Sequence, residues 1–461
     1  MRSLMRGVVW GAVGLGLMSV DMEAGAQEVL SLERALQIAE QRNPAYRQAF
    51  NSVELNRPQM RNTWLNQILP RVDLTLFTTN FTGNLTHRAT DNFGNPIERP
   101  TTDWVYFSQT QQALDINWQI QGGSIFKAYD RQKLTNLDRD AAEERAFTNM
   151  EVQVRRMYMD GLEQRDLMRA EEELVEARRV DLDVAERLFG LALRTRVDVL
   201  NAELAIEQQL LALRQQLAAF EQAKLTLRTE LGEDELGDFA FADEDLPIFD
   251  PSGLDADALV RTAFDVNPEL RQSRLGVDGA NLAVSEARTE WWPNITMGAR
   301  VTRTAQKEEK NALFDMSWDE DLDSRFYVSF SVPMFNDFFV NKANIHQAQI
   351  EVDNQREAER EVRLRVEGTV RSAVLELDNQ YESLRLVERA GEIAQEALRL
   401  AREEYRIGAR TFEDLQSAFD QEADTRRQVI TSRHSFIDAL LSLEEAVGAR
   451  VGPFGPVAGG R

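Results

Sequence analysis

Two short patches of this chain carry the same guanidinium, hydroxyl and carboxylate groups in the same order. Arg194, Thr195 and Asp198 in "FGLALRTRVDVLNA" (189–202) return as Arg410, Thr411 and Asp414 in "YRIGARTFEDLQSA" (405–418), 216 residues later and without a gap. An aromatic leads each patch, Phe189 and Tyr405. Groups so spaced can pair across a turn, cap a helix or attract a cation. They do not make a catalytic centre. The histidines His87, His346 and His434 are isolated in sequence, cysteine is absent, and neither a Gly-rich phosphate loop nor a Ser-centred elbow occurs. The acidic run "WDEDLD" (318–323) lacks the glycine and closing glutamate of an EF-hand and reads as a solvated loop. The expected chemistry is therefore electrostatic: not an enzyme, with no cofactor and no metal.

A second pair of motifs explains why the patch is doubled. "NPAYRQA" (43–49) returns as "NPELRQS" (267–273), 224 residues later. Two motifs repeating at nearly equal offsets indicate one structural unit duplicated in tandem. The halves read as residues 27–231 and 259–448. They are joined by 232–258, where ten acids occur with no Lys or Arg amid Gly and Pro, the pattern of a linker. The tail 449–461 reads as disordered.

Composition narrows the setting. Arg2 and Arg6, an apolar stretch over 7–20 and Ala24-Gly25-Ala26 have the order of a secretory signal, so residues 1–26 are expected to be removed. The net charge of −24 makes a poor nucleic-acid binder. The lack of cysteine is compatible with export and excludes disulfides and thiolate metal sites.

The elements that must position the two patches follow from periodicity. Ser31 caps a short helix, and Asn43-Pro44 and Asn267-Pro268 each start another, so each half opens with two helices. Period-two alternation then marks four strands of about ten residues: Val72, Leu74 and Leu76; Leu114, Ile116, Trp118 and Ile120; Ile295, Met297, Ala299 and Val301; and Phe326, Val328, Phe330 and Val332. Polar loops are expected at roughly 80–110 and 303–324. Long helices follow, over about 126–189, 195–231, 340–405 and 411–448. Val366, Val370, Val374, Leu377, Tyr381, Leu384 and Val387 keep the three-and-four spacing of a coiled coil. At about 1.5 Å per residue the longer helices reach roughly 95–100 Å, too long for a compact domain. The doubled patches thus lie at the tips of two helical hairpins, with Gly190, Thr195, Gly408 and Thr411 at the turns.

Each strand has one apolar and one polar face, and the polar faces carry Asp115, Asn117, Gln119 and Arg300, which suit a watery lumen better than a dry sandwich. Four strands cannot close a barrel alone, so several chains must share one.

On the duplicated Asn-Pro start, the tip pattern of Tyr405, Gly408, Arg410, Thr411 and Asp414, and the strand-to-helix order of both halves, the chain resembles the TolC family of outer-membrane efflux proteins. The resemblance implies an α+β membrane protein. Three chains would pool four strands each into a twelve-stranded barrel in the outer membrane of a Gram-negative-type envelope, with helices forming a periplasmic tunnel. It further implies a homotrimer working with a periplasmic adaptor and an inner-membrane pump or ABC-type transporter, exporting drugs, small molecules or proteins. By the same resemblance Asp198, Tyr405 and Arg410 would tie inner to outer hairpins and hold the tunnel closed, and Asp414 would face the lumen. The chain departs from the family at Val197, where a hydroxyl residue is usual, at Ser417, where an acid can stand, and at Asn336-Asp337, where a Gly pair matching Gly122-Gly123 is usual. A periplasmic coiled-coil adaptor or scaffold is the alternative reading, but it needs no amphipathic strands.

Overall fold

The structure is a computed structural model that describes residues 28–451 apart from 92, 234–238, 244–245, 247, 308–321 and 333. The expected signal at 1–26, most of the tail and most of the acidic run at 318–323 lie outside the described residues.

Capping chemistry starts the short helices where the sequence places them. Ser31 accepts from the Arg34 amide ahead of α1 (Leu32–Arg42), and Asn43 from the Tyr46 amide ahead of α2 (Pro44–Val53). The first half then adds a helix not read from the sequence, α3 (Asn56–Ile68), after a break at Glu54 and Leu55. In the second half Asp255 caps α6 (Ala256–Val266) and Asn267 caps α7 (Pro268–Thr289).

The four main strands are β2 (Arg71–Thr90), β3 (Pro96–Gln121), β5 (Asn294–Lys307) and β6 (Leu322–Ser331), joined antiparallel in that order. The expected loop at 80–110 is instead the upper part of a long β-hairpin. Its turn is tied by Asp91, whose Oδ1 accepts from the amides of Phe93 and Asn95 at 2.9 and 2.8 Å, while Gly94 takes φ 86°. Threonine and asparagine rather than apolar side chains fill this part of β2, which is why alternation does not reveal it.

Register sorts the side chains into rows. Val72, Ile116, Ala299 and Phe326 align across the sheet, and the adjoining row holds Asp73, Asp115, Arg300 and Arg325. Since neighbours along a strand face opposite ways, these rows belong to opposite faces, one mainly apolar and one charged. Arg300 pairs with Asp115 in the second row. The apolar face is bare: Val72, Leu74, Phe326, Val328 and Phe330 are all exposed. Among the described residues no helix is long and apolar enough to cross a membrane.

Four long helices lie below the sheet: α4 (Ser124–Gly190) and α8 (Asn336–Arg406) run from it to the tips, and α5 (Arg196–Leu231) and α9 (Phe412–Val447) return from them. The chain enters α4 through Gly122 at φ 37° and α8 through Phe335 at φ 52°, so a phenylalanine takes the strained backbone where the second half lacks a Gly pair. In the first half a Cβ on Gly122 would stand 2.6 Å from the Cβ of Trp292, so glycine is required there for packing as well as for φ.

The expected linker also contains structure. Residues Phe239–Phe241 form β4, which pairs in parallel with β1 (Glu28–Leu30), and Pro251–Gly253 form a 3-10 turn. At mid-height each half has its own core. Leu30, Tyr158, Leu162, Leu227, Leu231 and Phe241 build one; Val366, Val370, Leu377, Phe436 and Leu443 build the other. At the tips both halves share a core, formed by Leu174, Ala185, Val199, Leu398, Tyr405, Phe412 and Phe419.

Candidate functional site at the paired hairpin tips

Each tip is a helix stop followed by a capped helix start, and the two stops use equivalent hydrogen bonds. The amides of Ala192 and Leu193 donate to the carbonyls of Phe189 and Leu188, and 216 residues on those of Gly408 and Ala409 donate to Tyr405 and Glu404. The second residue after each helix is left-handed, Ala192 at φ 57° and Gly408 at φ 81°. Gly190, read from the sequence as the first turn glycine, is instead the last residue of α4; the residue equivalent to Gly408 is Ala192. The two tips therefore share a backbone but not the residue type that suits it.

Both helix starts are capping boxes, in which a hydroxyl and an acid three residues on satisfy one another's backbone amides. The Thr195 hydroxyl accepts from the Asp198 amide at 3.3 Å, and the Asp198 carboxylate from the Thr195 amide at 2.9 Å. Thr411 and Asp414 repeat this at 3.2 and 3.1 Å. Hydrogen bonds from Thr411 hold the Asp414 carboxyl below the usual range, so it stays charged while exposed.

Tyr405 lies in the shared core. It is 1 % exposed, packs edge-on against Phe412 and leaves its Oη without a hydrogen-bond partner. Within one chain the three residues expected to form a latch do not pair with one another: Asp198 serves its cap, Arg410 pairs with Glu404, and Tyr405 is turned into the core. Val197 and Ser417 both face outward.

What joins the tips within the chain is Arg194, which the sequence marks only as a repeated residue. Its guanidinium lies 4.3 Å from the centre of the Tyr405 ring and donates to the carbonyls of Tyr405, at 2.9 Å, and Arg410. One turn of α8 above the tip a second link crosses the halves. Arg402 of α8 forks onto the two carboxylate oxygens of Asp181 in α4 at 3.1 and 3.3 Å. Arg178, one turn from Asp181, pairs with Asp420 of α9 and covers the Phe419 ring at 3.5 Å. Burial raises the Asp181 carboxyl above the usual range and lowers the Arg178 guanidinium, so desolvation outweighs pairing for both. No single residue in the sequence points to this pair, because its partners stand 221 positions apart.

An open four-strand sheet with a bare apolar face is set above two helical hairpins that meet at charged tips, and the comparisons find the same architecture in solved outer membrane channels. Residues 259–449 match the model of the family Outer membrane efflux protein. Outer membrane protein TolC of Salmonella enteritidis is 24% identical over 193 residues, 41% of this chain and 39% of TolC, so the matched region spans about two fifths of that relative's length. The likeness of fold covers nine tenths of the chain or more. It superposes on CusC with a TM-score of 0.70 at 17% identity, covering 90% of this chain and 91% of CusC. It superposes on the Campylobacter jejuni CmeC outer membrane channel with a TM-score of 0.67 at 15% identity, covering 97% and 94%.

Proposed function

We propose that this chain is the outer-membrane component of a tripartite efflux or type I secretion system, a passive conduit and not an enzyme. Three copies pool their strands into a twelve-stranded barrel, and their helices continue it as a tunnel across the periplasm. A periplasmic adaptor and an inner-membrane pump or ABC-type transporter supply cargo at the tips, the cargo being drugs, other small molecules or proteins. The observation that carries this reading is the sheet: its apolar face is exposed and its edges, β2 and β6, are open, a state that lipid does not tolerate until other copies complete it. A periplasmic scaffold without a barrel has no use for such a sheet.

In this reading the tips are the gate. Asp198 and Arg410, each engaged locally within one chain, meet their counterparts on neighbouring copies, while three Asp414 carboxylates ring the lumen and attract cations. Purified protein in detergent, weighed by light scattering and then reconstituted in planar bilayers, tests the reading. A trimer with discrete conductance steps is expected; a soluble, detergent-free monomer without channel activity overturns it.

A further inference from the structure

Between the two halves at mid-height lies a cleft of about 870 Å³, walled by α4, α8 and α9. Helix geometry decides which side chains reach it. Tyr158 and Leu162 of α4 turn into the core of the first half, and at about 100° per residue Arg156, Asp160 and Glu163 point the other way, into the cleft. On α8 the facing stretch is small and hydroxylated, with Gly368, Thr369 and Ser372, and a Cβ on Gly368 would meet nothing within 4 Å. Small side chains keep the cleft open.

Its lining is acidic and underpaired. Asp160, Glu163, Glu376 and Asp438 bring four carboxylates from three helices, against the single guanidinium of Arg156. Arg156 is engaged on α9, at 3.1 Å from Asp438 and 2.9 Å from Glu445. Among the described residues no Lys or Arg pairs with the other three, and Asp160 and Glu376 accept only from the amides of Gln164 and Gln380. Burial, with Asp160 and Asp438 close by, raises the Glu163 carboxyl above its usual range, the response of a carboxylate with no strong cation beside it. His434, in the same wall, gives a second and independent sign. It is 5 % exposed, its Nε2 stands 3.5 Å from an Asp166 carboxylate oxygen, and its Nδ1 has no hydrogen-bond partner. Facing a carboxylate, Nε2 carries the ring hydrogen, which leaves Nδ1 a buried acceptor in need of an N–H.

A metal ion does not fit, since among the described residues no three acidic or histidine side chains converge closely enough to hold one. Carboxylates spread over three helices suit a ligand whose positive charges are spaced along a chain. We infer that the cleft binds a protonated organic polyamine, with ammonium groups on Asp160, Glu163 and Glu376 and further N–H donation to the hydroxyls of Thr369 and Ser372 and to His434. Amines supply donors and positive charge where the cleft offers acceptors and negative charge. The site is complete within one chain and does not rest on the trimer. A polyamine seated there ties α4 of the first repeat to α8 and α9 of the second, at the level where each half has its own core.

The test is calorimetric titration of the full-length chain in detergent with spermidine, at physiological ionic strength. Binding should saturate, and Glu163→Gln with Glu376→Gln should weaken it about tenfold or more through the lost charge-assisted hydrogen bonds. Glu172→Gln with Glu186→Gln removes the same charge from exposed positions of α4 outside the cleft, and should leave the affinity within about twofold. Ser372→Arg places a cation at an exposed position of the cleft wall, so it should abolish binding and the rise in melting temperature that spermidine gives the parent chain. This variant decides the matter if the first pair does not fold. Absence of saturable binding, or undiminished binding by Ser372→Arg, overturns the site. Equal weakening by the two glutamine pairs also overturns it, and marks a diffuse attraction to a chain of net charge −24.

Discussion

Ala192 holds at φ 57° the left-handed backbone that Gly408 holds at φ 81° in the second tip. A side chain in that region costs roughly 1 kcal/mol or more, and glycine avoids it. Ala192→Gly should therefore stabilise the first tip by up to about 1 kcal/mol, and Gly408→Ala should destabilise the second by a similar amount. A Cβ on Gly408 would meet nothing within 4 Å, so conformation alone sets that effect. Limited proteolysis at the tips, read as cleavage rate against temperature, should move in opposite directions for the two variants.

Arg194 contributes a ring contact and two carbonyl contacts that only a planar guanidinium can make together. Arg194→Ala should loosen the tips and raise single-channel conductance, and Arg194→Lys should behave like the alanine variant. Full restoration by lysine would reduce the role of Arg194 to its charge.

The buried link between Asp181 and Arg402 is expected to position the hairpins more than it stabilises them. Asp181→Asn or Arg402→Ala alone should cost roughly 2 kcal/mol, less than for a fully buried pair because the Arg402 side chain is 35 % exposed. Asp181→Leu with Arg402→Met should recover most of that in thermal unfolding followed by circular dichroism. The pH dependence has a fixed sign. Burial raises the Asp181 carboxyl above its ordinary 3.8, so its contribution to stability is full below 3.8 and is lost as pH rises through the raised value. The Asp181→Asn variant should lack this component of the pH profile.

Asp414 is a cap by geometry and, in the proposed trimer, also a member of a charged ring, and one substitution separates the roles. Asp414→Asn keeps an acceptor for the Thr411 amide but removes the charge. Cation selectivity and block by divalent ions should fall while the melting temperature holds. Asp198→Asn should leave selectivity unchanged. Because Thr411 holds the Asp414 carboxyl below 3.8, the charge-assisted cap persists above 3.8 and is lost as pH falls through that lowered value. A variant with unchanged selectivity but a lower melting temperature would make Asp414 a cap alone.

Local rules made the helices legible. Ser31, Asn43, Asn267, Thr195 and Thr411 start helices because a side-chain oxygen beside a free amide needs no distant partner, and each does so in the structure. The tips were located for the same reason. Features that depend on distant pairing were not legible. The upper halves of β2 and β3 lack apolar alternation and are fixed by register with each other. The links of Arg194 to Tyr405 and of Arg402 to Asp181 exist only once the two hairpins have met. An alanine carries no sequence signal for the left-handed backbone of Ala192, whereas Gly190 two residues before it does without adopting it.

The short pairing of Glu28–Leu30 with Phe239–Phe241 has a meaning in time as well as in space. Contacts between distant parts of a chain form after local ones, and this strand pair spans the whole first repeat. The mid-height core built by α1, α2, α4 and α5 is closed by Phe239 and Phe241 of the acidic linker. The core of the first repeat is thus completed by the residues that lead into the second.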